Sequence, residues 1–332
     1  MPELRGLVVG LGSIGRRHLQ NWRTLGLGEI NAARDFPDLA DALSRTRADV
    51  VLVTNPTSLH VETAMAAVQA GAHVLIEKPL SHTLDKVPEL IKEAESRGRK
   101  LAVGYNLRFH RGLQRLRELV QGGRIGRPLT ARAEVGEYLP DWHPWEDYRQ
   151  SYSARPDLGG GPVLTLSHDL DALCWVLGRP TRVIGLAARA GSLEIQTEEA
   201  AELAMTFEGG ALGSVHVDYV RREPRRFLEV AGDDGLVRWE YEANRLLQYA
   251  PSTREWRVEH GDPRFTRNDM FLAELSQFAE WTDGGSPGQL ATAHAAAGVL
   301  AVALAGLRSS ESGHAVNLEC VREPVSGWLA AL

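Results

Sequence analysis

The sequence predicts an α/β protein, with an N-terminal doubly wound parallel sheet and a C-terminal α+β domain built on an open, mainly antiparallel sheet. Short apolar runs alternate with helical patterns as far as Gly104, which is typical of βαβ units. A glycine-rich turn over residues 10–15 lies between the first apolar run and the first helical pattern. Beyond Gly122-Gly123 the runs alternate between apolar and polar residues, as in a sheet with one solvated face. We therefore predict two domains, residues 1–122 and residues 123–332.

The composition indicates a soluble globular protein. The chain has 332 residues, enough for about two domains, of which 43% are hydrophobic and 24% are charged. A net charge of −6 with both signs interspersed argues against a nucleic-acid partner. The two cysteines, Cys174 and Cys320, lie far apart and outside any metal-ligand spacing, so no metal site is predicted.

The sequence also argues against a membrane partner. The most apolar segment, residues 295–307, is shorter than a bilayer span requires. Residues 1–5 lead directly into the first predicted strand without a signal-peptide pattern. We therefore expect a cytoplasmic protein.

The glycine-rich turn predicts a dinucleotide site. Residues 6–9 form a predicted strand, the turn reads Gly10-Leu11-Gly12-Ser13-Ile14-Gly15, and a helix is predicted over residues 16–25. Glycines at this spacing allow a tight turn and a close backbone approach to a diphosphate, which the helix N-terminus stabilises. The candidate cofactor-binding residues of this turn are Gly10, Gly12, Ser13, Ile14 and Gly15.

The two residues that follow the second predicted strand bear on which dinucleotide binds. This strand covers residues 29–33, and Arg34 and Asp35 follow it. An acid at this place binds the 2′-hydroxyl of NAD, whereas an arginine accommodates the 2′-phosphate of NADP. Since the sequence supplies both, NAD and NADP remain open. The next strand, residues 48–54, follows Asp35 so soon that we expect a sheet shortened on this side.

The segment Glu77-Lys78-Pro79 ends the next predicted strand, residues 72–76. In an open α/β sheet, ligands bind beyond the carboxyl ends of the strands. Because proline restricts the backbone of the residue before it, Lys78 is well placed to meet a ligand. A solvated Glu-Lys pair in a loop is the alternative. The other predicted elements of this domain are helices over residues 38–45 and 61–71, a helix after Pro79 that runs through Ser96, and a strand over residues 100–104.

The second domain contains several predicted strands with flanking helices. Glycine-rich turns at residues 208–210 and 233–235 separate some of these strands, which favours antiparallel pairing. The predicted strands are residues 128–138, 182–189, 201–207, 211–220, 226–231, 237–241 and 245–249, and the predicted helices are residues 167–177, 271–281 and 292–308.

Together these features resemble the glucose-fructose oxidoreductase / inositol dehydrogenase / rhizopine catabolism (Gfo/Idh/MocA) family of NAD(P)-dependent oxidoreductases. The family pairs an N-terminal Rossmann domain with a C-terminal α+β domain whose open sheet commonly forms dimers or tetramers. The resemblance therefore implies NAD or NADP as cofactor and a homodimer or homotetramer. The matching segments are Gly10-Leu11-Gly12-Ser13-Ile14-Gly15, Thr54-Asn55-Pro56 to His60, Glu77-Lys78-Pro79, Tyr105-Asn106-Leu107-Arg108-Phe109, and Gly159-Gly160-Gly161 with His168 after it.

The resemblance also implies roles for these residues. In the family, the lysine of Glu-Lys-Pro lies beside the nicotinamide and contacts the reacting hydroxyl, so Lys78 is the predicted catalytic and substrate-binding cation. An ammonium there stabilises a developing alkoxide. Arg108 is a further candidate for the substrate, although Arg108 and Asn106 alternatively cap the last strand. The remaining residues that the resemblance places at the cofactor are Asn55, Pro56, His60, Glu77 and Asn106.

The segment after the triple glycine departs from the family pattern. The family has an aspartate and then a histidine that together handle the proton, but Thr165 stands where the aspartate is expected. His168 is the predicted proton acceptor, because an imidazole titrates near working pH. Asp169 or Asp171 supplies the missing carboxylate in one interpretation. In the other, both acids only complement the helix dipole.

An aromatic segment, residues 138–148, precedes the triple glycine. Aromatic faces with interspersed polar groups suit a sugar ring, so Tyr138, Trp142 and Tyr148 are candidate substrate-binding residues beside Thr165 and His168. A loop packed by its own aromatics, or one buried in an oligomer contact, is the alternative.

The leading functional prediction is an NAD(P)-dependent oxidoreductase that acts on a secondary alcohol or ketone of a sugar, amino sugar, sugar nucleotide or cyclitol. Two alternatives keep the fold. One is a redox-assisted glycosidase with tightly bound NAD, and the other is a non-catalytic regulator that senses the dinucleotide.

Overall fold

The computed structural model describes residues 3–318 and divides into two compact units. The first unit runs to Phe109 and also contains Thr266–Leu300. The second contains His110–Phe265 and continues from Ala301. This division differs from the sequence-based one at residue 122, because the helix that follows His110 packs in the second unit and residues 266–300 pack in the first. Cys320 lies outside the described residues.

The strands are numbered in chain order. They are β1 (Gly6–Val9), β2 (Ile30–Ala32), β3 (Val50–Val53), β4 (His73–Ile76), β5 (Leu101–Val103), β6 (Pro128–Gly136), β7 (Pro180–Ala188), β8 (Ala200–Phe207), β9 (Leu212–Asp218), β10 (Arg225–Gly232), β11 (Gly235–Glu240), β12 (Arg245–Ala250), β13 (Glu255–His260), β14 (Ala291–Thr292) and β15 (Val316–Asn317).

The α-helices are numbered in the same way. They are α1 (Ser13–Thr24), α2 (Leu39–Thr46), α3 (His60–Gln69), α4 (Val87–Ser96), α5 (Arg111–Gln121), α6 (Pro162–Thr165), α7 (His168–Leu177), α8 (Arg267–Thr282) and α9 (Ala293–Ser312).

The first unit is built on a six-stranded sheet in the order β14-β5-β4-β3-β1-β2. Strands β1 to β5 are parallel, and β14 adds antiparallel to β5. All four residues of β3 are buried, which explains why a central strand reads as an unbroken apolar run. The edge strand β2 has three residues, so the shortened sheet that the sequence predicts is present.

Helix α8 completes the core of the first unit although it lies far along the chain. Leu275 and Phe278 of this helix pack with Trp22 of α1 and with Val8 and Leu52 of the central strands. All five side chains are fully buried. The first unit therefore needs residues from both of its chain segments to close its apolar core.

The second unit contains a nine-stranded sheet in the order β13-β12-β11-β10-β6-β9-β8-β7-β15. The pair β6 and β9 is parallel, and every other pair in this sheet is antiparallel. Helices α5 and α7 pack on this sheet, and His110 and Gly112 at the start of α5 contact the buried ring of Trp239. The predicted fold, a doubly wound parallel sheet followed by an open, mainly antiparallel one, is confirmed.

The structure differs from the sequence prediction at several elements, among them the short helix α6 and the short strands β14 and β15, which were not predicted. The helix after Pro79 begins only at Val87, because Lys86 before it has a left-handed backbone with φ of 58°. Helix α5 was not predicted, although Leu113, Leu116 and Val120 recur at helical spacing. Strand β13 was not predicted either; five of its six residues are exposed, although Trp256 and Val258 alternate with polar residues.

Helix α9 is longer than the apolar segment that the sequence suggested. It has 20 residues, so the argument that this segment is too short for a bilayer was wrong. By length and composition α9 resembles a membrane span, but 67% of its apolar window is buried inside the protein. A core helix of a globular protein shows the same combination.

Candidate active site

The predicted cofactor-binding residues of the first unit follow the carboxyl ends of its parallel strands. Because these strands are neighbours and run in the same direction, their carboxyl ends lie side by side, and the residues line this end of the sheet. In chain order, Gly10 follows β1, Arg34 follows β2, Asn55 and Pro56 follow β3, Glu77 and Lys78 follow β4, and Asn106 lies in a 3₁₀ turn shortly after β5.

The glycine-rich turn is tight because its glycines touch neighbouring backbone. Gly10 has a φ of +97°, and a Cβ there would lie 2.6 Å from the amide nitrogen of Asn55. A Cβ at Gly15 would lie 2.0 Å from the carbonyl oxygen of Gly10. The hydroxyl of Thr54 donates to that same carbonyl at 2.6 Å. Neither glycine can be replaced without moving backbone.

The rest of the turn fits a diphosphate. Gly12 is the N-cap of α1, and an added Cβ there would meet nothing within 4 Å. Within residues 3–318 no side chain caps the N-terminus of this helix, and Ser13 at its first position is exposed. The amides of the first helical turn therefore face open space, in which backbone donors and the helix dipole favour an anion.

Arg34 and Asp35 lie in a short 3₁₀ turn after β2. Their side chains are 70% and 65% exposed and form an ion pair at 3.8 Å. A contact this exposed contributes little stability, so both groups are available to the ribose end of a dinucleotide. The choice between NAD and NADP stays open at these two residues.

Glu77 is a buried anchor beside Lys78. Its carboxylate accepts a hydrogen bond from His18 Nε2 at 2.6 Å and from the amide of Lys78 at 3.3 Å. Burial alone would raise the pKa of Glu77, but the hydrogen bond from His18 and the nearby positive charges lower it below its usual value. An ionised Glu77 thus fixes the backbone of the half-buried Lys78, whose peptide bond to Pro79 is cis.

His60 ties two of these loops together. It is buried at the first position of α3, with Nδ1 2.9 Å from the carbonyl oxygen of Pro79 and Nε2 2.9 Å from that of Asn55. Burial lowers the pKa of His60. A neutral imidazole donates to only one of these carbonyls. His60 therefore acts here as a brace between loops, and its direct contact with the cofactor stays a prediction.

Asn106 and Arg108 are both buried in the turn after β5. The backbone amide of Arg108 donates to the carbonyl oxygen of Tyr105 at 3.1 Å. Their predicted contacts with cofactor and substrate stay predictions.

Thr165 and His168 lie close together in the second unit. Thr165 ends the short helix α6, and His168 begins α7; both are buried. Tyr219, directly after β9, interacts with the side chain of Thr165 and donates its hydroxyl to the carbonyl oxygen of Ser153 at 3.4 Å. Burial raises the pKa of Tyr219 well above its usual value, so its phenol stays neutral. A neutral hydroxyl pair thus occupies the place of the expected aspartate.

Asp169 is engaged with a cation instead of a substrate-facing group. Its carboxylate accepts from Arg226 Nε at 3.1 Å, and both side chains are buried. Arg226 also approaches Glu137 at 3.6 Å and donates its backbone amide to Glu242. Burial raises the pKa of Asp169 to about 7; the negative charges of Glu137 and Glu242 add to this rise, and the charge of Arg226 opposes it. These contacts favour a structural role for Asp169.

Of the three candidate aromatic residues in residues 138–148, the structure brings only one towards Thr165. The ring of Trp142 packs edge-on against Tyr219, with ring centres 5.4 Å apart, and its indole N–H is buried without a partner in residues 3–318. Tyr138 instead lies under the guanidinium of Arg222, and the hydroxyl of Tyr148 accepts the amide of Glu194. Trp142 is therefore the aromatic residue that the structure brings near Thr165.

Sequence reasoning missed Tyr219 and Arg226. Tyr219 follows from strand pairing, because Ala200 of β8 lies opposite Asp218 of β9 and the next residue is Tyr219. The tight turn at residues 208–210 predicted that hairpin, and its register would have located Tyr219. Arg226 was assigned to a predicted strand in a basic run that reads as solvated, and nothing local indicates its burial.

Comparisons with known proteins agree with this geometry. A model of an oxidoreductase family with an NAD-binding Rossmann fold matches residues 27–105, and a model of the GFO/IDH/MocA C-terminal domain matches residues 113–238. The chain is 30% identical to the 1,5-anhydro-D-fructose reductase of Ensifer adhaerens over 82% of this chain and 80% of that protein. It is 27% identical to the myo-inositol 2-dehydrogenase of Thermotoga maritima over 84% of this chain and 88% of that protein.

A solved structure shows the same fold. An inositol dehydrogenase homologue from Azotobacter vinelandii, complexed with NAD⁺, superposes with a TM-score of 0.82 at 19% identity and covers 95% of this chain and 97% of its own.

We expect Gly12→Ala and Gly15→Ala to fail differently. Gly12→Ala should keep its melting temperature within a few degrees but bind NADH at least about tenfold more weakly, because the methyl group enters only the space for the diphosphate. Gly15→Ala should lose about 1–3 kcal/mol of unfolding free energy, because its methyl group meets backbone. Fluorescence titration with NADH and thermal melting measure both. Unchanged NADH affinity in Gly12→Ala would contradict this site.

The pKa of Asp169 predicts a pH dependence of stability. The folded carboxyl, with a pKa of about 7, holds a proton that the unfolded one, near 3.9, has already lost at pH 5. The free energy of unfolding of the wild type should therefore fall relative to that of Asp169→Asn between pH 5 and pH 8. Urea denaturation of both proteins across this range measures the difference, and a constant difference would contradict the shifted pKa.

Proposed function

Because the chain belongs to the Gfo/Idh/MocA family of NAD-binding oxidoreductases, we propose that it transfers hydride between NAD(P) and a secondary alcohol or ketone of a sugar, amino sugar, sugar nucleotide or cyclitol. The relatives support this substrate range, since they are named as acting on an anhydro sugar and on inositol. The observation that carries the proposal is the anchoring of Lys78 by buried Glu77 at the sheet edge that also carries the glycine turn.

The proposal assigns separate tasks to the residues. The dinucleotide, when bound, accepts or gives the hydride. Gly10, Gly12 and Gly15 hold its diphosphate, and Arg34 or Asp35 holds the adenosine ribose. The ammonium of Lys78 stabilises the negative charge that develops on the substrate oxygen. His168 takes or gives the proton of the substrate hydroxyl.

The aromatic residues suit a carbohydrate-like substrate. A sugar ring has apolar C–H faces and a polar rim, and Trp142 offers both an aromatic face and an unpartnered indole N–H within the described residues. We propose that Trp142 binds substrate, with Tyr138, Tyr148 and Arg108 as further candidates. The redox-assisted glycosidase and the non-catalytic regulator gain no support from the comparisons. A cytoplasmic location is part of this proposal.

We further propose that the chain forms a homodimer or homotetramer through the outer face of the second sheet. Strand register places Ile184 and Leu186 of β7, Leu212 of β9 and Trp256 and Val258 of β13 on this one face. All five are exposed, and Leu186 is 73% exposed. Exposed apolar side chains gathered on one sheet face are typical of a surface that buries itself against another copy.

Leu186→Asp should therefore shift the protein from an oligomer towards the monomer in size-exclusion chromatography with light scattering. A charge on this face costs desolvation energy only when the face is covered. Lys92→Ala on the exposed surface of α4 is the matched control and should keep the wild-type mass. A wild-type protein that is monomeric at micromolar concentration would refute the proposal.

Lys78→Ala should lower kcat by about 100-fold or more while NADH affinity changes by less than about threefold. Removing a donor to a developing oxyanion costs about this much, whereas the glycine turn is untouched. Initial rates of NAD(P) reduction with myo-inositol and of NAD(P)H oxidation with 1,5-anhydro-D-fructose measure it. Lys92→Ala should again match the wild type, and near-normal turnover in Lys78→Ala would remove Lys78 from the mechanism.

A further inference from the structure

The indole ring of Trp145 stands out in the aromatic segment because it lies almost entirely in water. Its exposed fraction is 76%, the highest among the large apolar side chains that the structure describes, whereas Trp142 is only partly exposed. Leaving a ring of this size in water forgoes the stability that its burial would add. Tryptophan is enriched where proteins bind other molecules, since its ring offers a broad apolar face.

Trp145 lies at the apex of a tight turn. The amide of Glu146 donates to the carbonyl oxygen of His143 at 2.9 Å, which closes a β-turn over residues 143–146. Pro144 occupies the second position of this turn, where its fixed φ suits the geometry, and Trp145 occupies the third. The indole is therefore presented by a stretch of backbone that proline stiffens.

Both flanks of this turn are fastened to the rest of the second unit. Before the turn, the amide of buried Leu139 donates to the carbonyl oxygen of Tyr219 at 3.0 Å. After it, the guanidinium of Arg149 bridges the carboxylates of Asp147 and Glu194, at 2.8 Å from each. A side chain presented on a fixed base loses little conformational entropy when a ligand binds.

Two ring nitrogens beside the exposed indole have no hydrogen-bond partner in residues 3–318. They are Nε1 of Trp142 and Nδ1 of His143, and both atoms are buried. Buried polar atoms are nearly always hydrogen-bonded in folded proteins, so these two are available for a ligand hydroxyl. The ring centres of His143 and Trp145 lie 5.5 Å apart. The turn thus combines a free aromatic face with nearby polar atoms, as a sugar ring requires.

The charge around the turn disfavours an anionic ligand. Residues 141–150 contain three acids and one arginine, and that arginine is already bridged between two carboxylates. Asp141 and Glu146 form no ion pair within the part of the chain that the structure describes. A phosphate group would meet uncompensated negative charge here, whereas a neutral sugar ring would not.

We propose that Trp145 stacks on the second ring of a neutral disaccharide-like glycoside whose first ring is held at Trp142. This inference rests on the proposed function, to which the substrate-binding role of Trp142 belongs. The Cα atoms of the two tryptophans are at most about 11 Å apart, since only three residues of chain separate them. Two rings joined by one glycosidic oxygen span such a distance. The substrate class is then a neutral glycoside, and neither a single sugar nor a sugar nucleotide.

The experiment uses pairs of compounds that share one glucosyl unit and differ by a second ring. One pair is methyl β-D-cellobioside and methyl β-D-glucopyranoside, and the other is methyl α-D-maltoside and methyl α-D-glucopyranoside. For the wild type we expect kcat/KM in one pair to be at least about tenfold higher for the two-ring compound, mainly through a lower KM. α-D-Glucose 1-phosphate, which carries an anion in place of the second ring, should be the poorest of the α-linked compounds. Initial rates of NAD(P) reduction measure all five.

Three variants separate stacking by Trp145 from a general effect on the protein. Trp145→Ala should bring the two compounds of the preferred pair to within about twofold, because the KM for the two-ring compound rises while kcat and the KM for the methyl glucoside stay unchanged. Trp145→Tyr keeps an aromatic face and should retain at least about half of the preference. Leu129→Ala is the matched control, since it removes another exposed apolar side chain of the second unit, and it should keep the full preference.

The outcomes that overturn this inference differ from those that overturn the proposed function. No preference for a second ring in the wild type, or an undiminished preference in Trp145→Ala, would overturn the stacking role. A smaller molecular mass of Trp145→Ala in light scattering, with the preference unchanged, would make Trp145 a subunit contact. If the wild type oxidises myo-inositol but none of these glycosides, the substrate class is wrong and the proposed function stands. If it transfers no hydride with any of these compounds or with 1,5-anhydro-D-fructose, the proposed function itself is overturned.

Discussion

The first unit depends on the close approach of backbone between Gly15, Gly10 and the end of β3. The hydroxyl of Thr54 donates to the Gly10 carbonyl, and Gly15 leaves no room for a side chain beneath it. From there His60 bridges the loops after β3 and β4, and His18 returns from α1 to Glu77. These contacts form a closed ring through α1, β1, β3 and β4. Each member is therefore connected, through these contacts, to the backbone on either side of Lys78.

Much of this ring follows from sequence, because each member lies at a strand end that local pattern locates. The apolar runs of β1, β3 and β4 are buried on both faces, and glycine, proline and charge mark where each run stops. Spacing also predicted the short sheet beside β2. What the sequence did not supply was pairing at long range, such as His18 with Glu77, since neither residue's neighbours indicate the partner.

The second unit was harder to predict at the level of single residues. Alternation located most of its strands, but β13 has no buried residue, and its short alternation of Trp256 and Val258 with polar residues was passed over. Asp169 looked like a substitute carboxylate from its position in the chain. Its partner Arg226 lies 57 residues away on β10, and only the folded sheet brings the two together.

The discontinuity of the first unit has a consequence for how the protein is made. The ribosome synthesises residues 3–109 long before residues 266–300. The nascent sheet therefore lacks α8 while the intervening segment is being synthesised. During that interval Val8, Trp22 and Leu52 lack the side chains that cover them in the finished protein. A truncated chain that ends at residue 122 would remain in this state, with an exposed apolar surface that binds chaperones or aggregates. The cofactor-binding half is thus not a separable module, although its motifs all lie near the start of the sequence.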